Sequence, residues 1–174
     1  YIVNFAAETH VDRSIINADS FVKTDVYGTY VLLECALKSK KLKRFIQIST
    51  DEVYGNAYDA LKKKSRPSLE TDPLMPLSPY AASKAAADRL AYSYWATYGL
   101  PVVITRCSNN VGPYQYPEKL IPLFITKVLE NKKMPVYGSR KNTRDWIYVE
   151  DHVIAVISLM VSKRKLEGEV FNIG

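Results

Sequence analysis

An α/β fold with a doubly wound parallel sheet is predicted by three features of this 174-residue sequence. Short, nearly continuous apolar runs alternate with segments of helical periodicity. The stretches between successive runs are long enough for right-handed helical crossovers between parallel strands. The polar segments begin where the apolar runs end, at the carboxyl edge where such sheets gather ligands.

The first run, Tyr1–Ala6, has the continuous apolar pattern of a strand buried on both faces. From Asp19 to Lys38, Val22, Val26, Leu33 and Leu37 recur at helical spacing, and Lys38, Lys40 and Lys41 lie where a helix C-terminus favours cations. Phe45–Ser49 is the second strand, followed by a loop, Asn56–Ser78, rich in Lys, Pro, Ser and Asp. Ser78 before Pro79 signals the start of a helix that runs to Tyr98, where Gly99-Leu100-Pro101 stops it. Val102–Thr105 is the third strand. A polar segment, Cys107–Pro117, leads to a helix over Glu118–Asn131, a short strand Met134–Tyr137, a helix from Glu150 to Val161 and a closing strand Val170–Ile173. No internal repeat or composition shift marks a second domain.

Composition removes several classes. With 47% hydrophobic residues, seven Gly and nine Pro, the chain is neither disordered nor collagen-like. Its longest apolar runs, such as Val153–Val161, are about half the roughly 18 residues of a membrane span, so no membrane association is expected. Two cysteines, Cys35 and Cys107, make no disulfide framework and point to a reducing, cytoplasmic setting. Two histidines, His10 and His152, leave little to build a zinc site, and no metal is expected. The sequence opens inside a strand without an initiator Met and closes on another, which reads as an internal piece of a longer chain.

The formal net charge is +6, and the excess is clustered: Lys38, Lys40, Lys41, Lys43 and Arg44; Lys62–Lys64 with Arg66; Lys163–Lys165. No groove-reading motif accompanies these cations. They read as solvated loops and helix ends, with attraction of a small anionic substrate as the alternative ahead of a nucleic-acid surface.

Three polar segments follow the three strands: Ala6–Ser14, Ser49–Gly55 and Ser108–Tyr114. Each alone could be turn chemistry, since Thr, Asp and Asn bond local backbone. Together, at three strand ends, they suit a cleft. Tyr80 and Lys84 stand at i and i+4 on one helix face, where an ammonium can favour a phenolate. Tyr58/Lys62 and Tyr137/Lys141 share that spacing, but only Tyr80 opens a helix after a strand-end segment.

Five stretches, in order along the whole chain, carry a likeness. They are Phe5–Ser14, Thr50-Asp51-Glu52, the Tyr80/Lys84 pair, the segment from Asn109-Asn110 through Pro117-Glu118-Lys119-Leu120-Ile121-Pro122, and Arg144–His152. In them the sequence resembles the extended short-chain dehydrogenase/reductases, and among these the nucleotide-sugar dehydratases, in which the Thr-Asp-Glu triplet is the discriminating element. The resemblance implies a Rossmann-like fold with bound NAD and a nucleotide-glucose substrate. It implies catalytic roles for Thr50, Asp51, Glu52, Tyr80 and Lys84. Contacts to NAD are implied for Phe5, Ala6, Ala7, Glu8, Thr9, Thr24, Tyr80, Lys84 and Asn110. Contacts to the nucleotide sugar are implied for Thr9, Thr50, Asn109, Lys119, Leu120, Pro135, Tyr137 and Arg144.

By the same resemblance, residues 1–108 form the C-terminal part of the NAD-binding unit, 109–146 supply nucleotide-sugar segments, and 147–174 return to the sheet. The Gly-rich dinucleotide loop and the end of the sugar-binding domain are expected outside this stretch. A homodimer is implied through a four-helix bundle of Asp19–Lys38 and Pro79–Tyr98, with Ala81, Ala82, Ala85, Ala86 and Ala87 allowing close approach. Two positions depart from the family pattern on the substrate side: Val111 stands where Tyr is usual, and Arg140 where Gly is usual. A sister 4-epimerase or decarboxylase, which does not need Asp51 and Glu52, and a catalytically silent NAD-binding protein are the competing readings.

Overall fold

Every residue of strand β2 (Phe45–Thr50) is buried, the polar Gln47, Ser49 and Thr50 included, as befits a strand covered on both faces. The computed structural model describes residues 1–56, 58–59, 64–135 and 143–174. Its main sheet has four parallel strands in the order β1 (Ile2–Asn4), β2, β5 (Val102–Cys107) and β8 (Val170–Ile173). Ile2 pairs with Phe45, Phe45 with Val102, and Ile104 with Val170. Two smaller pairings complete the strands: β3 (Tyr58–Asp59) with β4 (Lys64–Ser65), antiparallel, and β6 (Asn109–Val111) with β7 (Trp146–Tyr148), parallel.

Helices cover both faces. On one, α3 (Gly28–Leu37) and α4 (Pro79–Tyr98) place Leu33, Ala36, Ala91 and Tyr94 against Phe45, Val102 and Ile104. On the other, α6 (Val149–Val161) brings Val156 onto Ile46, Ile48 and Val103. The alternation along β2 and β5 thus feeds two cores, which is the doubly wound arrangement. Among the described residues no helix is long and apolar enough to cross a membrane.

The signals around α4 act as expected. Ser78 Oγ accepts from the Ala81 amide at 3.1 Å, and Gly99, at φ 70°, closes the helix with its amide on the Trp95 carbonyl. Three of the five alanines expected between subunits, Ala81, Ala85 and Ala87, are instead buried within the chain, while Ala82 and Ala86 are exposed.

Elsewhere the structure departs from the expected elements. β1 ends at Asn4 and not Ala6, because Asn4 Oδ1 accepts from the Ala6 amide at 3.2 Å and turns the chain out of the sheet. A short helix, α1 (Val11–Ile16), follows. The helix over 19–38 is not uniform: α2 (Asp19–Phe21) passes into a π-helical turn, Val22–Tyr27, before α3. The helix expected over Glu118–Asn131 is α5 (Leu120–Leu129). Met134 and Pro135 are irregular, and Tyr137, Arg140 and the Lys62 and Lys141 pair members lie outside the described residues.

Arg44 is a correction to the reading of the basic clusters. It is buried, donating to the carbonyls of Leu159, Ser162 and Arg164 at the end of α6 and pairing with Glu167 at 3.3 Å. Cations at a helix C-terminus satisfy carbonyls that lack helical partners.

Candidate active site

The carboxyl ends of β1, β2 and β5 open onto one cleft of about 440 Å³, within the size range of ligand pockets. β2 runs directly into a tight 3₁₀ turn, Asp51–Tyr54, capped at its start by Thr50, whose Oγ1 accepts from the Glu52 amide at 3.3 Å. Gly55 ends the turn at φ 76°, against the Met75 backbone, where a Cβ would collide. This turn aims Asp51 and Glu52 into the cleft.

Thr50 is the hub. Its hydroxyl donates to Asp51 Oδ1 at 3.1 Å, and Thr50 also pulls the Tyr80 hydroxyl down against the effect of burial. Burial pushes the Asp51 carboxyl above its ordinary value, with the Thr50 hydroxyl, backbone amides and Arg144 pulling the other way. Burial and the Asp51 charge push Glu52 up as well, opposed by the charges of Arg144 and Lys119. Both carboxyls therefore move toward the range of neutral-pH proton transfer. Their partners differ, for hydrogen bonds steady the Asp51 carboxylate and Glu52 has none among the causes of its shift.

Lys84 is buried, and its Nζ donates to the Ile48 carbonyl at 2.7 Å, which fixes α4 to the end of β2. Burial lowers its pKa. Burial, then the Glu52 charge, raise the Tyr80 hydroxyl, with Thr50 pulling the other way.

The loop after β1 is held by Asp25, which the π-helical turn directs inward. Asp25 Oδ1 accepts from the Glu8 amide at 2.7 Å. Lys119, at the N-cap of α5, spans the opening to Thr9, with Nζ 3.2 Å from Thr9 Oγ1.

The structure brings together eleven of the expected residues as walls of the cleft. The loop after β1 contributes Phe5, Ala7 and Thr9, and the β2 end Thr50, Asp51 and Glu52. Tyr80 and Lys84 come from α4, and Asn109, Asn110 and Lys119 from the segments after β5. Ala6, Glu8, Leu120, Pro135 and Arg144 do not line it, although Arg144 acts on both carboxyls through its charge. Thr24 is exposed on the π-helical turn and stands apart.

Sequence reasoning missed several walls: Ser49, Ser108 and Gln115 within flagged polar segments, and the two histidines. Their signal is burial. Among the described residues, seven buried side-chain polar atoms have no hydrogen-bond partner, and five belong to residues that line this cleft: His10 Nδ1, Ser49 Oγ, Ser108 Oγ, Gln115 Oε1 and His152 Nε2. An unpaired buried polar atom costs about 1–3 kcal/mol, so their convergence calls for a ligand with hydroxyl or amide groups. The apolar surfaces of Phe5, Val149 and Val153 beside them suit the flat face of an aromatic ring. These residues fit a nicotinamide riboside and a sugar.

A doubly wound sheet with a Tyr-x-x-x-Lys helix at its carboxyl edge is the arrangement of the extended short-chain dehydrogenase/reductase class, to which the sequence resemblance pointed. Within it, residues 1–174 match the family model described as GDP-mannose 4,6 dehydratase, and the chain belongs to that family. The chain is 53% identical over 173 residues to a dTDP-glucose 4,6-dehydratase of Streptomyces niveus, covering 99% of this chain and 49% of that protein. Among solved structures it is similar to the dTDP-glucose 4,6-dehydratase DesIV of Streptomyces venezuelae, solved with NAD bound (48% identity, TM-score 0.91, 99% of this chain and 51% of that one). It is also similar to a UDP-glucuronic acid 4-epimerase of Bacillus cereus (32% identity, TM-score 0.90, 98% of this chain and 52% of that one). The chain spans about half the length of the curated relatives it matches.

Proposed function

We propose that this cleft serves the NAD-dependent dehydration of a nucleotide-linked glucose, dTDP-glucose, to the 4-keto-6-deoxy sugar. The observation that carries the reading is the convergence of Thr50, Asp51, Glu52, Tyr80 and Lys84 on one cleft, with both carboxyls pushed upward. NAD, when bound, supplies the hydride acceptor for C4, the hydride donor for C6, and a positive ring charge of the sign that lowers a phenol pKa. Phe5, Ala7, Tyr80, Lys84 and Asn110 would hold its nicotinamide end.

Tyr80 takes the proton of the sugar 4-hydroxyl as C4 becomes a ketone, and Thr50 orients that hydroxyl. The ketone acidifies C5–H, and Glu52 removes that proton and gives it back to C5 when C6 has been reduced. Asp51 gives a proton to the 6-hydroxyl, which departs as water. Lys119 and Arg144 face the diphosphate with opposite charge. For assembly we infer a homodimer through α3 and α4, on which Tyr30, Val31 and Tyr98 are exposed. A cytoplasmic setting goes with this reading.

The 4-epimerase likeness supplies the rival, and mass spectrometry of the product separates the two. The full chain with NAD and dTDP-glucose is expected to give a product lighter by one water. An isomer of unchanged mass assigns the cleft to epimerisation, and bound NAD without any product assigns it to a silent binder.

A further inference from the structure

Asn110 lies in the middle of β6, and its side chain meets groups on two sides. Its Nδ2 stands 3.3 Å from the Ser108 carbonyl and 3.5 Å from Cys107 Sγ. That settles the amide's orientation, because the flipped amide would set two carbonyl oxygens against each other. Oδ1 therefore faces His152 Nδ1, 2.8 Å away. A carbonyl oxygen only accepts, so Nδ1 carries the proton.

His152 is 3% exposed, and burial holds its pKa below the ordinary value, so the ring is neutral near pH 7. With the proton on Nδ1, Nε2 is a bare acceptor. It is buried and has no partner among the described residues, and His152 is one of the walls of the cleft. The Phe5 ring packs edge-on against the imidazole, with centroids 6.0 Å apart and planes at 71°. The backbone holds this placement, since α6 begins directly after β7, in which Ile147 pairs with Asn110.

We propose that His152 is a positioning residue of the cleft, its Nδ1–H fixing the Asn110 amide and its Nε2 accepting an N–H or O–H donor from the bound ligand. This rests on reading the cleft as an NAD and nucleotide-sugar site. The chemistry fits two donors, a carboxamide N–H of the cofactor or a sugar hydroxyl. In either case His152 links the β7–α6 segment to the cofactor side of the cleft through Asn110, without itself moving a proton.

The test begins on the native full chain with ¹⁵N-labelled histidine. The expected spectrum near pH 7 shows His152 with Nδ1 protonated and Nε2 bare. Saturation with NAD or with dTDP-glucose is expected to shift the Nε2 resonance, and the ligand that does so names the donor. A proton on Nε2, or an Nε2 signal unmoved by either bound ligand, overturns the proposal.

Two variants add a binding readout. His152→Phe keeps the ring and loses both nitrogens, and is expected to raise the dissociation constant of the ligand concerned about tenfold, or about 1.4 kcal/mol. His152→Asn restores an N–H near the Nδ1 position and is expected to recover part of that loss. Native affinity in the folded Phe variant for both ligands overturns the proposal. A native protein that binds neither ligand removes the reading of the cleft and the acceptor role of Nε2 with it. The tautomer spectrum then judges the Asn110 contact alone.

Discussion

Ser83 Oγ donates to Asp25 Oδ2 at 2.6 Å, while the other oxygen of the same carboxyl accepts the Glu8 amide at 2.7 Å. One buried side chain thus ties three pieces of distant sequence: the π-helical turn, the helix that carries Tyr80 and Lys84, and the loop that carries Phe5, Ala7 and Thr9. A π-helical turn adds a residue to the helical repeat and re-aims a side chain, and such turns recur at functional sites. Here it directs Asp25 inward, 1% exposed, while Thr24 beside it faces solvent.

The charge on Asp25 opposes folding at neutral pH. Burial is the largest influence on it and raises its pKa, against the Ser83 and Glu8 hydrogen bonds and the Lys84 charge. A folded-state pKa above the unfolded one means that the stability linked to this group is complete below the unfolded value. It is lost as pH rises through the folded value. Asp25→Asn keeps an acceptor oxygen and carries no charge to desolvate. In urea unfolding between about pH 4 and pH 8, the stability difference should move in favour of the Asn variant as pH rises, then level off. A difference that does not vary with pH would show that the Asp25 charge carries no such cost.

Tyr80→Phe removes one hydroxyl and keeps the ring, which packs edge-on to Phe21 at 6.2 Å. Folding and NAD binding should persist, while sugar oxidation at C4 slows by about 10²–10⁴-fold, the usual contribution of a positioned acid–base group. Burial holds this hydroxyl protonated in the cleft by itself, so its ionisation should need the bound cofactor. A spectrophotometric titration of the native protein should show a Tyr signal that ionises at lower pH with NAD than without, absent from the Phe variant. An unchanged oxidation rate in the variant would remove Tyr80 as the base.

The parts of this architecture visible in the sequence are those with local causes. β2 and β5 announce themselves as apolar runs, and Ser78-Pro79 and Gly99 mark α4 by the backbone groups they satisfy. The strand-end rule marks the segments that hold Thr50, Asp51, Glu52 and Asn110, and the family resemblance supplies their expected roles. What stayed hidden depends on partners far along the chain. Arg44 looks like one more member of a Lys cluster, since the α6 carbonyls it caps lie more than a hundred residues away. Asp25 looks like a solvated helix residue because an ordinary helical repeat does not foretell the π-helical turn. β6 and β7 have three residues each, too few to show a period of two. His152 carries no pattern of its own, and only its burial against Asn110 sets it apart.

The carboxyl pair separates dehydration from epimerisation, and its two members can be removed one at a time. Asp51→Asn keeps size and polarity but has no carboxylic proton to give the departing 6-hydroxyl. Glu52→Gln cannot accept the C5 proton. In the proposed reaction, oxidation at C4 belongs to Tyr80, Lys84, Thr50 and the cofactor, so neither change should abolish it. In a single turnover with dTDP-glucose, each variant should therefore build up the absorbance of reduced cofactor while loss of water lags by about 10²-fold or more. Because Glu52 acts as a base and its pKa is raised, the native dehydration rate should fall as pH drops through a value above the ordinary 4.5, and Glu52→Gln should lose that limb. Production of the 4-keto-6-deoxy sugar at the native rate by both variants would reduce Asp51 and Glu52 to turn residues. The epimerase reading would then take the place of the dehydratase.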